Sequence, residues 1–179
     1  IVSWNILKKE VSRYLKNDAS VYLTTFIDYY GIRKRHQFPK WEESYDIPDN
    51  HKPTRMTFLE NAMKENLDKG IRDRFIPYIQ LHEFEGLLFS NPDVFDENFE
   101  PSEFADRAYL DKTLKDFNDS PELINDGATT APSKRLERIL NIYSAEKESV
   151  KATIGSLLAD ETGLETIRQK CPRFNAWIT

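Results

Sequence analysis

Three acidic residues follow two predicted strands closely enough to suggest a metal site. Asp28 ends a run over residues 21–27 that is rich in β-branched and aromatic residues and predicts a buried strand. Glu83 and Glu85 come directly after a second predicted strand, residues 75–81. In open parallel sheets, ligands bind beyond the carboxyl ends of the strands, and carboxylate oxygens suit Mg²⁺ or Mn²⁺. Such a metal can activate a water and stabilise charge on a phosphoryl group.

The same acids also have a structural interpretation. Glu83 and Glu85 are two positions apart, so on a helix they would not face each other. At most one of them would then point at a metal held by Asp28, unless the local backbone is extended. An acid after a strand also commonly caps the following helix. The neighbouring His82 is either a base or ligand, or a hydrogen-bonded structural residue.

Two cations begin a predicted helix in the string Ala-Pro-Ser-Lys-Arg, residues 131–135. Lys134 and Arg135 lie beside unpaired backbone N–H groups there, an arrangement that suits an anion such as phosphate. The alternative is a solvated helix start whose cations pair with acids such as Glu137 or Glu122. Both interpretations stay open on the sequence alone.

A second basic segment, residues 33–36, lies in a long loop predicted over residues 32–53. Its sequence, Arg-Lys-Arg-His, has the charge to hold RNA or DNA phosphates. Most short basic runs are simply solvated, so the alternative is an exposed loop without a ligand. Long loops inside compact domains are commonly functional or mobile.

The order of the predicted elements indicates a parallel α/β unit. A helix ending near residue 17 precedes the first strand, and a helix over residues 54–69 separates the two strands. The rest of the chain is helical, with helices predicted near residues 82–89, 103–117, 133–142, 146–159, 163–170 and 173–178. We therefore predict one α/β domain over residues 1–179: a short parallel sheet flanked by helices, with a helical C-terminal half.

Composition limits the function classes. The net charge is −5, which excludes a generally basic nucleic-acid binder but leaves room for a local basic patch. No apolar run is long enough to span a bilayer, so we expect no membrane partner. The single cysteine, Cys171, excludes an internal disulfide framework and favours a reducing, cytoplasmic location.

Several strings together resemble one bacterial domain-of-unknown-function family with a Toprim-like, Rossmann-like fold. That family includes RloG-type and AriB-like proteins of anti-phage defence. The resemblance covers nearly the whole chain, and its most specific strings are QLHEFEGLLF and CPRFN. The strings that carry it lie at residues 24–31, 75–89, 124–127, 131–135 and 167–177.

The resemblance implies Mg²⁺-dependent cleavage of phosphodiesters in RNA or DNA. Asp28 matches the first aspartate of the family's Asp-x-Asp metal motif, whereas Tyr30 replaces the second. Glu83 and Glu85 are then metal ligands or neighbouring acids, and the two cations bind the scissile phosphate. The predicted catalytic residues are Asp28, Glu83, Glu85, Lys134 and Arg135, and the predicted metal ligands are Asp28, Glu83 and Glu85.

The resemblance begins after the family's first strand and its glutamate motif. We therefore expect the chain to be the C-terminal portion of the family domain, without that strand, the helix after it and the glutamate that would act as base. The family also implies an ATPase partner. The alternative function is a catalytically inactive module that docks such a partner or a nucleotide, which Tyr30 and the negative net charge favour.

Overall fold

We analysed a computed structural model of the chain, and the structure describes residues 1–124, 127, 129–143 and 148–179. Its contacts divide it into two compact units, Ile1–Leu81 and His82–Thr179. Helices and short parallel strand pairs together confirm the mixed α/β class. In the described part of the chain, no helix has both the length and the apolar character needed to cross a membrane.

The first unit contains two long helices and two parallel strand pairs. Strand β1 pairs with β3, and β2 pairs with β4, each in parallel. The elements are α1 (Trp4–Asn17), β1 (Leu23–Thr24), β2 (Ile27–Asp28), α2 (Lys52–Glu65), β3 (Phe75–Ile76) and β4 (Ile79–Gln80). Helix α2 begins two residues before its predicted start and ends four residues before its predicted end.

Both predicted strands are interrupted at positions that face each other, Thr25 in the first strand and Tyr78 in the second. Thr25 Oγ1 accepts a hydrogen bond from the backbone N–H of Tyr78 at 3.1 Å, so a side chain takes a place in the ladder between the strands. Pro77 has no N–H to donate, which also breaks a regular ladder. The continuous strands predicted over residues 21–27 and 75–81 are therefore four short segments.

The predicted loop over residues 32–53 contains three short 3₁₀ helices: Lys34–His36, Glu43–Asp46 and Asp49–His51. A buried cation holds its last part in place. Arg55 of α2 donates to the Tyr29 hydroxyl at 3.1 Å and to the backbone carbonyl of Ile47, and it pairs with Asp49 at 2.8 Å. A buried cation without partners would be costly, so the folded state keeps these contacts. They hold the last part of the loop against α2.

The apolar positions predicted for α1 and α2 form the core of the first unit. Val11 and Leu15 of α1, with Met56, Leu59 and Met63 of α2, are all almost fully buried. These residues recur at helical spacing, so each helix turns one apolar stripe inward. The strand residues Phe75 and Ile79 belong to the same core.

The second unit is helical, as predicted for the C-terminal half. It begins with a 3₁₀ helix, Phe84–Ser90, and continues with α3 (Asp93–Asn98), α4 (Arg107–Asp116), α5 (Pro132–Ile139), α6 (Glu148–Thr162), α7 (Leu164–Lys170) and α8 (Pro172–Ile178). Its core includes Phe89, Phe95, Leu136, Ile139 and Leu158. Asn125 and Asp126 of the string at residues 124–127, and residues 146–147 of the predicted helix 146–159, lie outside the described residues.

A buried carboxylate caps the last helix. Glu122 accepts hydrogen bonds from the backbone N–H groups of Arg173 and Phe174 at 2.9 and 2.7 Å. These donors have no partner within α8, because the first N–H groups of a helix lack an internal acceptor. The adjacent Cys171 is fully buried, and burial raises the pKa of its thiol to about 12. Glu122 therefore serves the helix rather than Lys134 or Arg135, and the thiol stays neutral.

We expect Glu122→Ala to destabilise the protein by about 2 kcal/mol, because two buried N–H groups of α8 lose their acceptor. Urea unfolding followed by circular dichroism measures this change. The matched control is Glu161→Ala, which removes an exposed glutamate and should change stability by less than about 0.5 kcal/mol. Equal stability of the two variants would show that the cap contributes nothing.

Candidate functional site

Asp28 lies at the end of β2 in the first unit, as predicted. Its parallel partner in β4 is Gln80, and its backbone leads into a 3₁₀ turn, Tyr29–Gly31, without capping that turn through its side chain. Tyr30, which stands at the second position of the Asp-x-Asp motif, carries the Arg33 guanidinium over its ring at 5.3 Å. A metal-binding role for Asp28 stays a prediction.

Glu83 lies in the second unit and contacts the start of α5. Its backbone is extended (φ −129°, ψ 157°), and its Oε2 accepts the backbone N–H of Ser133 at 3.0 Å. Ser133 is the second residue of α5, whose first turn has N–H groups without an internal acceptor. The carboxylate also complements the positive end of the helix dipole. Glu83 thus makes the capping contact that the sequence offered as its structural alternative.

Glu85 is half-buried in the 3₁₀ helix Phe84–Ser90 and lies near Glu83. Its Oε1 accepts the hydroxyl of Tyr143 at 3.1 Å. Burial raises the pKa of Glu85, and the negative charge of Glu83 raises it further. The backbone at Glu83 is extended, which is the condition under which two acids two positions apart can lie on the same side of the chain.

Two lysines and a third glutamate continue this polar region. Glu137 accepts from Lys134 at 2.8 Å and from Lys151 of α6 at 2.8 Å. The Lys151 ammonium also lies 5.5 Å from the centre of the Tyr143 ring. Burial acts to raise the pKa of Glu137, but the hydrogen bonds from the two lysines outweigh it and lower the pKa. The residues that form this glutamate cluster are Glu83, Glu85, Lys134, Glu137, Tyr143 and Lys151.

Arg135 turns away from the glutamate cluster into the interior of the second unit. It is 6% exposed, and its guanidinium donates to the Thr130 carbonyl, the Tyr109 hydroxyl and Thr113 Oγ1 at 2.8, 3.0 and 3.3 Å. It also lies 5.1 Å from the centre of the Phe117 ring. These contacts describe a structural cation, and phosphate binding by Arg135 stays a prediction that stability can test.

The donor set of the glutamate cluster suits a hard cation. Within neither unit do the described residues gather three His, Cys, Asp or Glu side chains in the manner of a closed metal site. Mg²⁺, however, commonly binds one or two carboxylates and keeps its other ligands as waters or substrate phosphates. Each oxygen of Glu83 and Glu85 can accept more than one partner, so the contacts to Ser133 and Tyr143 leave coordinating capacity.

Sequence analysis missed Tyr143 and Lys151, and it considered Glu137 only as a partner for Lys134. Lys134 does pair with Glu137, as that alternative proposed. Tyr143 and Lys151 are far from Glu83 and Glu85 along the chain and carry no local motif. Only the packing of α5 and α6 against the 3₁₀ helix Phe84–Ser90 brings them there.

We expect the free energy of unfolding to fall less between pH 4.5 and pH 7 in Glu85→Gln than in the wild type. The pKa of folded Glu85 lies above its ordinary value of 4.5. Protonated Glu85 therefore stabilises the folded state below that value, and this contribution is lost as the pH rises through the folded pKa. Glutamine stays neutral and still accepts from Tyr143, so it keeps the contribution at pH 7.

Urea unfolding at a series of pH values from 4.5 to 7 measures that difference. The control is Glu97→Gln, which removes the charge of an exposed glutamate in α3 and should leave the pH dependence as in the wild type. A Glu85→Gln profile parallel to the wild-type profile would contradict the raised pKa.

We expect Arg135→Met to lower stability by about 3 kcal/mol, because the variant removes charged hydrogen bonds and leaves buried acceptors unpaired. Lys134→Met is the matched control: its side chain is 41% exposed and its ion pair should contribute less than about 1 kcal/mol. Thermal and urea unfolding distinguish the two. An Arg135→Met protein as stable as the wild type would show that these contacts contribute little to the stability of the fold.

Comparison with known proteins places the chain in a family but gives no activity. No curated protein and no solved structure matches it. Residues 2–179 match the family described as domain of unknown function (DUF4276). The match runs over nearly the whole chain and includes the strand ends, the glutamate cluster and the capped helix α8. The chain therefore belongs to the DUF4276 family.

Proposed function

We propose that this chain is a Toprim-like, Mg²⁺-dependent phosphodiester-cleaving protein of prokaryotic anti-phage defence, acting in the cytoplasm. The observation that supports the proposal is the half-buried pair Glu83 and Glu85: burial raises the pKa of Glu85, and the negative charge of Glu83 adds to that rise. A divalent cation relieves such repulsion directly, and the two carboxylates supply the hard oxygen ligands that it prefers.

In this proposal Glu83 and Glu85 hold Mg²⁺, or Mn²⁺ in its place. The bound ion would activate a water and stabilise charge on the phosphoryl group. Tyr143 fixes the orientation of the Glu85 carboxylate, and Ser133 fixes that of Glu83. Lys134 can exchange its contact with Glu137 for a substrate phosphate, because its own side chain is 41% exposed and Glu137 keeps Lys151 as a partner. Asp28 remains a proposed further ligand, and an ATPase remains a proposed partner.

A second candidate function is a catalytically inactive module that docks an ATPase partner or a nucleotide. Two observations favour it. Glu83 already caps α5, and the buried Arg135 guanidinium donates to three acceptors inside the second unit. If both residues serve only the fold, the string that resembles a catalytic motif is retained for packing. The two candidates differ in whether the glutamates bind a metal.

Calorimetric titration with Mn²⁺ separates the two functions without relying on turnover. We expect the wild type to bind Mn²⁺. Glu83→Gln and Glu85→Gln should each bind it at least about tenfold more weakly, because each variant loses a charged ligand. Binding should also weaken as the pH falls, since the raised pKa of Glu85 makes protons compete with the metal. Asp28→Asn tests the third ligand in the same titration.

The control is again Glu97→Gln, which makes the same change of charge at an exposed position outside the cluster. A cleavage assay of the natural protein on tRNA, single-stranded RNA and DNA then tests the activity, with the same variants. Metal binding that is equal in the wild type and both cluster variants would refute the metal site and leave the docking module as the better proposal.

A further inference from the structure

The described loop of the first unit forms a cavity of about 480 Å³ at its surface. Its wall contains three cations (Lys34, Arg35 and Lys40), two acids (Glu42 and Glu43) and the rings of Phe38 and Trp41, so its lining carries a net charge of +1. We call it the basic cavity. It belongs to the first unit, whereas the glutamate cluster belongs to the second.

The cations of the basic cavity are weakly held by the protein itself. Arg35 is exposed and makes no ion pair with a carboxylate of the described residues. Lys34 pairs with Glu42 at 3.0 Å, but their side chains are 82% and 62% exposed. Lys40 approaches Glu65 only to 3.8 Å. Exposed pairs of this kind contribute little, so an anion can replace them at low cost.

The local charge is opposite to that of the chain. Residues 33–43 contain four cations and two acids, which gives +2 with His36 neutral, against −5 for the whole sequence. Burial lowers the pKa of His36, and the charges of Arg35 and Arg33 lower it further, so the imidazole stays neutral. Its Nδ1 accepts the Arg33 backbone N–H at 3.0 Å, which ties the 3₁₀ helix Lys34–His36 together.

The floor of the cavity is rigid. Phe38 and Trp41 are buried, and their rings pack against Trp4 and Tyr29 at 5.9 and 5.7 Å. Gln37 and Lys40 both have left-handed backbone conformations, with φ of 54° and 55°. Residues other than glycine rarely adopt the left-handed backbone conformation unless the surrounding structure imposes it. The loop therefore presents its cations from a preformed backbone.

We propose that the basic cavity binds the phosphodiester backbone of a nucleic-acid strand, RNA or DNA. The inference rests on the proposed function and supplies its substrate-binding surface. A strand fits better than a single phosphate because three cations line one open cavity and an aromatic ring stands beside it. Tyr45 packs edge-on against Trp41 at 5.5 Å and is 55% exposed, so its ring can stack on a base.

Fluorescence anisotropy in EDTA, with labelled RNA and DNA oligomers of one sequence, tests the proposal. We expect the triple variant Lys34→Gln, Arg35→Gln, Lys40→Gln to bind at least about tenfold more weakly than the wild type at low salt. The slope of log affinity against log salt should fall by about 0.7 for each lost contact with a single strand. Tyr45→Ala should weaken binding and leave the slope unchanged.

The matched control is the triple variant Lys9→Gln, Lys16→Gln, Lys69→Gln, which removes three exposed cations of the first unit that do not line the cavity. It should bind close to the wild type. The proposal is overturned if both triple variants weaken binding equally, if neither does, or if the wild type binds neither oligomer. Equal competition by millimolar inorganic phosphate would also overturn it, since the site would then recognise a free anion.

The same assay separates this inference from the proposed function. Because EDTA removes divalent ions, binding here does not depend on the metal site. Glu83→Gln and Glu85→Gln should keep wild-type affinity for the oligomers while they lose Mn²⁺ binding. Loss of oligomer binding only in the cavity variants, and loss of metal binding only in the glutamate variants, would support both proposals independently.

Discussion

The second unit places two acids, Glu83 and Glu85, on one half-buried segment, and each carboxylate depends on a hydrogen-bond donor from a distant part of the unit. Burial raises the pKa of Glu85, and repulsion from the charge of Glu83 raises it further. Three neighbouring groups lie against the pair or its partners. Ser133 donates a backbone N–H to one carboxylate, Tyr143 donates its hydroxyl to the other, and Lys151 lies beside the Tyr143 ring. A divalent cation would act on the same repulsion.

Carboxylates from distant segments hold the starts of two helices in this unit. Glu83 caps α5, and Glu122 caps α8. Two of the strings that carry the family resemblance are therefore in contact, since Glu83 caps the Ala-Pro-Ser-Lys-Arg helix start. Glu122, two residues before the string at 124–127, contacts the Cys-Pro-x-Phe-Asn segment. A proline in the first turn of each helix fits this arrangement, since its missing N–H would have had no partner inside the helix.

The first unit uses its cations in two different ways. Arg55 is buried, and its contacts with Tyr29, the Ile47 carbonyl and Asp49 order the long loop. The lysines and arginine of the basic cavity lie outside on the same loop, with weak partners or none among the described carboxylates. A buried cation thus holds the scaffold, while exposed cations keep the freedom to bind a ligand.

The sequence by itself determined the α/β class, the helices α1 and α2 with their inward stripes, and the helical C-terminal half. It did so because hydrophobic periodicity is a local property of the chain. It also singled out Glu83 and Glu85, but it left open whether Glu83 would cap a helix. Tertiary structure decided that Glu83 caps α5, that Arg135 lies inside, and that Tyr143 and Lys151 join the cluster. Most of these contacts join residues 14 to 58 positions apart, so they depend on packing, which no local pattern encodes.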